Sequence, residues 1–221
     1  MRAVTGDTFA VDVDALAGAS GATGAEASEL GEALLRRWDE PHRTYHDRRH
    51  LGEVLEAVDD LAEDARLERP DLARARLAAW YHDAVYEGAP GDDEEASARL
   101  AEAELLTLGL PDAEVAAVAG LVRATAEHAL PGPTGPAAAL HDADLWVLAA
   151  PAERFDAYCD AVRREYAHVP DADFAVGRSA VLTPFVRRPR LYATAHAHRR
   201  WTGRARVNLR RELDRLDAAR R

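Results

Sequence analysis

The apolar residues of this chain recur with the spacing of an α-helix along nearly its whole length. In residues 50–65, five apolar side chains fall at positions that share one helix face: Leu51, Val54, Leu55, Val58 and Leu61. No segment alternates apolar and polar residues between turn signals, as a half-buried strand does. The pattern therefore predicts an all-α fold.

The length of 221 residues favours one domain with a single core. Residues 1–25 are rich in Gly and Ala and carry few apolar anchors, so we expect a loosely ordered N-terminal arm there. Residues 26–221 are predicted to form one helical domain that ends in an Arg-rich helix. The Pro/Gly-rich residues 130–136 are interpreted as a turn inside this domain, because helices of similar character flank them.

Cys159 is the only cysteine, which excludes a disulfide within the chain and a metal site built from several thiolates. Any metal must therefore bind His and carboxylate side chains. No run of about 18 apolar residues occurs, and the first residues lack the basic and apolar regions of an export signal. We therefore expect a cytoplasmic protein with no membrane partner.

The basic residues are concentrated at the C-terminal end. The formal net charge is -11, yet residues 187–221 contain twelve Arg and three acidic residues, a net of +9. This stretch could bind nucleic acid, or it could pair with the acidic remainder of the same chain or stay solvated. The last two interpretations are favoured because they need no partner.

Two histidine motifs carry the first chemical signal. In YHDRRHL, His46 and His50 are four residues apart, so both imidazoles project from one face if this turn is helical. In WYHDAVY, His82 and Asp83 lie within a strongly apolar stretch of a predicted helix over residues 72–86. Burying that carboxylate costs several kcal/mol unless a cation or strong hydrogen-bond donors compensate.

Two further segments add acids and a histidine. In LHDADLWVL, Asp142 and Asp144 stand at an apolar helix start, and the run ATAEH ends at His128. Each has a structural alternative: Asp142 suits a helix cap, and an isolated buried His is usually a satisfied structural side chain. Together, however, these sets favour a metal site made of nitrogen and oxygen ligands.

The ordered set of motifs resembles the HD superfamily of metal-dependent phosphohydrolases. Closest in appearance is a group of uncharacterised bacterial proteins with similar runs, which read here as YHDRRHL, WYHDAVYE, DDEEASA, TAEH, HDADL and EYAHVPD. The resemblance spans residues 45–171 and implies a single-domain helical bundle of the HD type. It also implies four metal ligands, namely His50, His82, Asp83 and Asp144, with Asp142 as a supporting residue two positions away.

The same resemblance suggests roles around the metal. His46 becomes a candidate general acid toward a leaving oxygen, and Asp83 or Glu94 could orient the attacking water. His128 and Glu94 match positions that serve a second ion or phosphate in some members. Arg178 and Arg49 are the candidate phosphate-binding residues, because the planar guanidinium suits phosphate oxygens.

The expected activity is hydrolysis of a phosphate ester of a small molecule, with a nucleotide as one candidate. The expected cofactor is a divalent ion; His and carboxylate ligands accept Mn, Fe, Mg, Co, Ni or Zn with modest preference. Two alternatives stay open: a two-iron oxygenase or lyase on the same scaffold, and a non-catalytic domain that binds a nucleotide. Nucleic acid is a less favoured substrate.

Overall fold

The structure is a computed structural model that describes residues 4–17, 24–89 and 91–220. These residues form one bundle of ten α-helices with a 3₁₀-helix and no strand, which confirms the all-α prediction. The helices are α1 (Gly6–Leu16), α2 (Gly24–Trp38), α3 (Arg48–Leu61), α4 (Arg69–Tyr81), α5 (Asp92–Thr107), α6 (Asp112–Ala124), α7 (Pro136–Asp144), α8 (Ala152–Glu165), α9 (Asp171–Arg187) and α10 (Ala195–Ala219). The 3₁₀-helix, Leu145–Ala149, directly follows α7.

Helix α3 begins where its sequence provides a cap. The Asp47 carboxylate accepts hydrogen bonds from the backbone N–H groups of Arg49 and His50, at 2.9 and 3.1 Å, and so satisfies two donors of the first turn. The apolar stripe predicted from the sequence is buried along the whole helix. This cap and stripe fix both the start of α3 and its orientation, with His50 turned inward.

Helix α4 ends earlier than the sequence predicted. The apolar spacing suggested a helix through residue 86, but α4 ends at Tyr81, and His82 and Asp83 lie in the turn that follows. Arg43 explains how this turn is stabilised, because its buried guanidinium donates to the carbonyl oxygens of Asp83 and Ala84, at 2.6 and 3.1 Å. The turn presents His82 and Asp83 side by side.

The middle of the bundle is formed by α3, α4 and α7, which pack against one another. Helices α1 and α2 pack together on one side of α4, and α5 and α6 form a pair on another side. Helices α8 and α10 and the 3₁₀-helix close the bundle, with α9 against α10. Three motifs that are distant in sequence therefore meet at the bundle centre.

The N-terminal segment is attached more closely than the sequence predicted. Helix α1 packs on α2 and α4, and the fully buried ring of Phe9 makes edge contacts with Trp80 and Tyr81 at centroid distances of 5.3 and 6.1 Å. Helices α1 and α2 can approach each other closely because Gly31 has no side chain. A Cβ at this position would lie only 2.8 Å from Gly6 Cα. Residues 1–3 and 18–23 of the expected arm lie outside the described residues.

The Arg-rich helix α10 contacts acids of its own chain. Arg211 donates to Asp156 at 2.5 Å, and Arg215 lies 3.4 Å from Asp160, both acids being on α8. Arg206 donates to the carbonyl oxygens of Arg188 and Pro189. These contacts agree with the intramolecular interpretation of the basic stretch. No helix in the described ranges has the length and apolar character needed to cross a membrane.

Candidate metal centre

Two imidazoles meet at the centre of the bundle. Nε2 of His50, on α3, lies 3.1 Å from Nε2 of His82, which follows α4. Both side chains are almost completely buried, with exposed fractions of 2% and 1%. Two ring nitrogens that face each other at this distance must share either a proton or a cation.

The hydrogen bond on the far side of His82 fixes which nitrogen faces the centre. Nδ1 of His82 lies 2.8 Å from the carbonyl oxygen of Ala79, which can only accept, so Nδ1 carries the proton. In the neutral ring, the lone pair of Nε2 then points at His50. A metal-binding imidazole is usually oriented by such a bond on its other nitrogen.

Two carboxylates complete the cluster. Asp83 Oδ2 lies 3.1 Å from His82 Nε2 and 3.6 Å from His50 Nε2. Asp144 Oδ1, at the end of α7, lies 3.6 and 3.5 Å from the same two nitrogens. His50, His82 and Asp83 place their ligand atoms within 4.8 Å of one another, so this buried group could hold a metal ion.

The two buried carboxylates of the cluster, Asp83 and Asp144, require positive charge nearby. Burial alone would raise the pKa of Asp83, but the adjacent imidazoles of His82 and His50 hold that pKa well below its usual value. The pKa of Asp144 is lowered by the same imidazoles against the effect of burial. The pKa of each imidazole is raised by the two carboxylates, although burial alone would lower it. A divalent cation would satisfy both carboxylates without protons on the rings.

The donor set fits such a cation. Two neutral imidazoles and two carboxylates offer four ligand atoms and a charge of -2, which would neutralise a divalent ion and leave coordination positions free. Histidine nitrogen with carboxylate oxygen suits first-row metals and Mg. The residues that the resemblance assigned as ligands are therefore brought together around one point.

Asp142 has a different role from Asp144. Its oxygens accept hydrogen bonds from the backbone N–H groups of Ala193 and Thr194, at 2.7 and 2.8 Å, and from the Thr194 hydroxyl at 2.8 Å. His141 Nδ1 lies 2.8 Å from the same carboxylate. Asp142 thus anchors the segment that begins α10 and does not cap its own helix, which was the structural alternative suggested by the sequence. Of these two aspartates, only Asp144 faces the imidazoles of His50 and His82.

His128 borders the cluster. Its Nδ1 lies 3.4 Å from Asp144 Oδ2, and its side chain is about one-third exposed. The backbone of His128 adopts a φ of 44°, a left-handed conformation that is uncommon outside glycine. Arg188 donates to the His128 carbonyl at 2.6 Å and helps to hold this conformation. The position suits a ligand to a second ion or to phosphate.

His46 is held by a carboxylate that sequence reasoning missed. Glu165 Oε1 accepts three backbone N–H groups, from Thr44, Tyr45 and His46, at 2.7–3.0 Å. Its other oxygen lies 2.8 Å from His46 Nδ1 and accepts from the Tyr86 hydroxyl at 3.1 Å. Burial alone would raise the pKa of Glu165, but the His46 imidazole and these N–H groups lower it to about 2. Glu165 fixes His46 in place.

Arg43 is the second residue that the sequence did not single out. Its guanidinium is buried and donates to the carbonyl of His46 at 3.2 Å as well as to the turn after α4. It lies over the rings of Trp38 and Tyr86, at 5.6 and 5.5 Å. Arg43 therefore links the segment that carries His46 to the segment that carries Asp83.

A cavity of about 310 Å³ lies beside the cluster and is lined by His46, His82, Asp83, Glu94, His128, Asp144 and Arg178. One oxygen of Glu94 accepts the backbone N–H of Gly91 at 2.5 Å and caps α5. Arg49 is not among the lining residues; its half-exposed side chain pairs with Glu53 at 3.1 Å. Of the two predicted phosphate-binding arginines, the structure brings only Arg178 to this cavity.

Comparisons with known proteins identified no relative of this chain. No family model matches the chain, and no curated protein or solved structure matches it. The function of this chain must therefore be inferred from its residues and their geometry.

Proposed function

We propose that this protein is a metal-dependent phosphohydrolase with an HD-type helical bundle, acting on a phosphate ester of a small molecule. The observation that carries the proposal is the convergence of two imidazoles and two carboxylates beside a cavity of small-molecule size. The order of the motifs along the chain, which resembles the HD superfamily, supports it.

In this proposal the metal ligands are His50, His82, Asp83 and Asp144. A bound divalent cation supplies Lewis-acid chemistry, since it polarises phosphoryl oxygens and lowers the pKa of water. The carboxylates of Asp83 and Glu94 line the same cavity and are the candidate groups to orient the attacking water. Because Glu94 is also a helix cap, its carboxylate is held at the cavity edge.

His46 is the proposed proton donor to the leaving oxygen. Glu165 forms a hydrogen bond with Nδ1 of its ring, and the Tyr86 ring stacks on it at a centroid distance of 4.1 Å. Nδ1 is thus engaged, and Nε2 is the nitrogen left for substrate. Such a positioned general acid contributes about 10²–10⁴-fold to a rate.

A second candidate function is that of a two-iron oxygenase or lyase, and the location of His128 beside Asp144 favours it. His128 and Asp144 Oδ2, which lie 3.4 Å apart, would be the candidate residues to hold a second ion, next to the group formed by Asp144 Oδ1 and His50. The number of ions bound per chain separates the two candidates. Two iron ions with no phosphate release would favour the oxidative function.

The test is metal analysis of purified variants, followed by phosphate-release assays with Mn, Fe(II), Mg and Zn. His82→Ala and Asp83→Ala are expected to lose both the bound metal and hydrolysis. His46→Ala should keep the metal and lower kcat by about 10²-fold or more. His198→Ala, on α10 and away from the cavity, is the matched control and should behave as wild type.

Two results would contradict the proposal. Equal metal content in wild type and Asp83→Ala would show that the ligand assignment is wrong. A fully metal-loaded protein that releases no phosphate from a panel of nucleotides and sugar phosphates would leave a binding domain or the oxidative function in its place.

A further inference from the structure

The cavity beside the metal centre is lined by two chemically different sets of residues. One set of lining residues is charged or carries an imidazole and includes Asp83, His128 and Asp144. The other set is apolar and comes from the 3₁₀-helix and from α8 and α9; it includes Leu145, Leu148, Val162, Val181, Leu182 and Phe185. A ligand that fills about 310 Å³ must contact both sets.

Positive charge in this cavity is scarce. Arg178 is the one arginine among the described residues that line it, and the chain contains no lysine. Acids are more frequent: beyond Asp83 and Asp144, which a divalent ion would neutralise, Asp93 and Glu94 also line the cavity. Every further phosphate group on a ligand would add negative charge with no additional cation to receive it.

Arg178 is placed to receive a single phosphate group. Its guanidinium lies over the Tyr158 ring at 5.1 Å and donates to the Tyr158 hydroxyl. None of the carboxylates that the structure describes forms an ion pair with it, and Glu212, which acts on it through charge, pairs with Arg215 at 2.7 Å. Its remaining N–H groups can therefore bind ligand oxygens in a fork.

Aromatic rings connect Arg178 to the metal centre. Tyr158 packs edge-on against Tyr45 at 4.5 Å, and Tyr45 packs against His50 at 4.7 Å. Both tyrosines line the cavity between the arginine and the histidines. A ligand that occupies the cavity between the centre and Arg178 would therefore contact aromatic side chains as well as the apolar set.

We infer that the ligand of this cavity is a small molecule with one phosphoryl group attached to an apolar or aromatic moiety. The inference rests on the proposed function and narrows its substrate class. Polyphosphates are poor ligands because Arg178 is their only fixed cation beyond the metal. Sugar phosphates are poor ligands because their hydroxyl groups would lose water against the apolar lining residues of the cavity.

The test measures binding, so that it does not depend on turnover. The probes are phenylphosphonate, methylphosphonate and tripolyphosphate, titrated by calorimetry into the protein with Mn present. The P–C bond of a phosphonate is not hydrolysed. Phenylphosphonate should bind at least about 10-fold more tightly than methylphosphonate, because its ring buries apolar surface. It should also bind more tightly than tripolyphosphate.

Helix α9 provides a matched pair of variants. Val181 lines the cavity and Val176 does not, yet their exposed fractions are nearly equal, 53% and 54%, so neither substitution perturbs the core. Val181→Asp should weaken phenylphosphonate binding about 10-fold or more, and Val176→Asp should leave it unchanged. Arg178→Ala should weaken the binding of both phosphonates, and Arg178→Lys should restore part of that binding.

The outcomes separate this inference from the proposed function. Equal affinity for the two phosphonates, tighter binding of tripolyphosphate, or equal effects of the two valine variants would overturn the inference. If binding follows the expected order, the inference stands, and phosphate release from phenyl phosphate then decides the proposed function separately.

Discussion

Replacing Glu165 with glutamine tests whether one buried carboxylate organises the segment before α3. Its oxygens accept the N–H groups of Thr44, Tyr45 and His46, and they also contact the His46 ring and the Tyr86 hydroxyl. Glutamine has nearly the same shape, but it is neutral and replaces one acceptor with an NH₂ donor. The charge-assisted bonds are lost while the packing is retained.

The pKa of Glu165 sets the size of the effect. The folded value of about 2 lies below the ordinary value of 4.5, so the carboxylate stabilises the fold at pH values above 4.5, and this stability is lost as pH falls toward 2. This lowered pKa corresponds to at most about 3 kcal/mol of stability at pH 7 and to about 1 kcal/mol at pH 3. Glu165→Gln should lower the free energy of unfolding by up to these amounts at the two pH values.

The assay is urea unfolding of wild type and Glu165→Gln, monitored by circular dichroism at several pH values from 7 to 3. The difference in unfolding free energy between wild type and Glu165→Gln should shrink as pH falls. Glu153→Gln, an exposed position on the same helix, is the control and should change stability by about 0.5 kcal/mol or less. A difference that stays constant between pH 7 and pH 3 would refute the reasoning.

Three further predictions concern the core and the centre. Asp144→Asn should reduce metal content with little loss of stability, whereas Asp142→Asn should lower the unfolding free energy by about 3 kcal/mol and keep the metal in the folded fraction. Phe9→Ala should cost about 3–5 kcal/mol in urea unfolding, and the exposed Val11→Ala on the same helix should cost much less; equal costs would show that α1 is not part of the core. Arg43→Lys should cost about 2 kcal/mol, because lysine cannot span the three carbonyls, and unchanged thermal stability would contradict this.

The sequence could predict those parts of the fold that depend on local pattern. The stripe of α3 repeats at helical spacing, and its Asp47 cap lies next to the stripe, so both are visible within one segment. The candidate ligands were also recognisable, because the His82–Asp83 pair is costly in apolar surroundings without a cation, and the resemblance to the HD superfamily pointed to His50. Nothing in the spacing required them to meet, and only the motif order suggested it.

Other features depend on contacts between distant segments. Glu165 lies 119 residues from His46 along the chain, and its own surroundings look like an ordinary helix end. The one available signal was the run EYAHVPD, which begins at Glu165. Helix α4 was predicted too long because its apolar spacing continues past Tyr81. The backbone turns there against two distant side chains, Arg43 and Ser97, which bond to its carbonyl and N–H groups.

The pair of aspartates in HDADL shows how a tertiary partner decides between equivalent residues. Asp142 and Asp144 are two positions apart and have similar neighbours, so the pattern fits either as a ligand. Residues 193–194 resolve this, since their N–H groups reach Asp142, which leaves Asp144 for the imidazoles. A sequence motif of five residues cannot contain that information.

The bond between Asp142 and the start of α10 has a consequence for synthesis. Asp142 leaves the ribosome 51 residues before Ala193, which carries one of its hydrogen-bond donors. Until that segment emerges, the nascent chain would have to bury an unsatisfied carboxylate in order to dock α7, so Asp144 cannot reach its final position. The centre is therefore expected to mature last, and nascent chains arrested before residue 193 should fail to retain a metal ion.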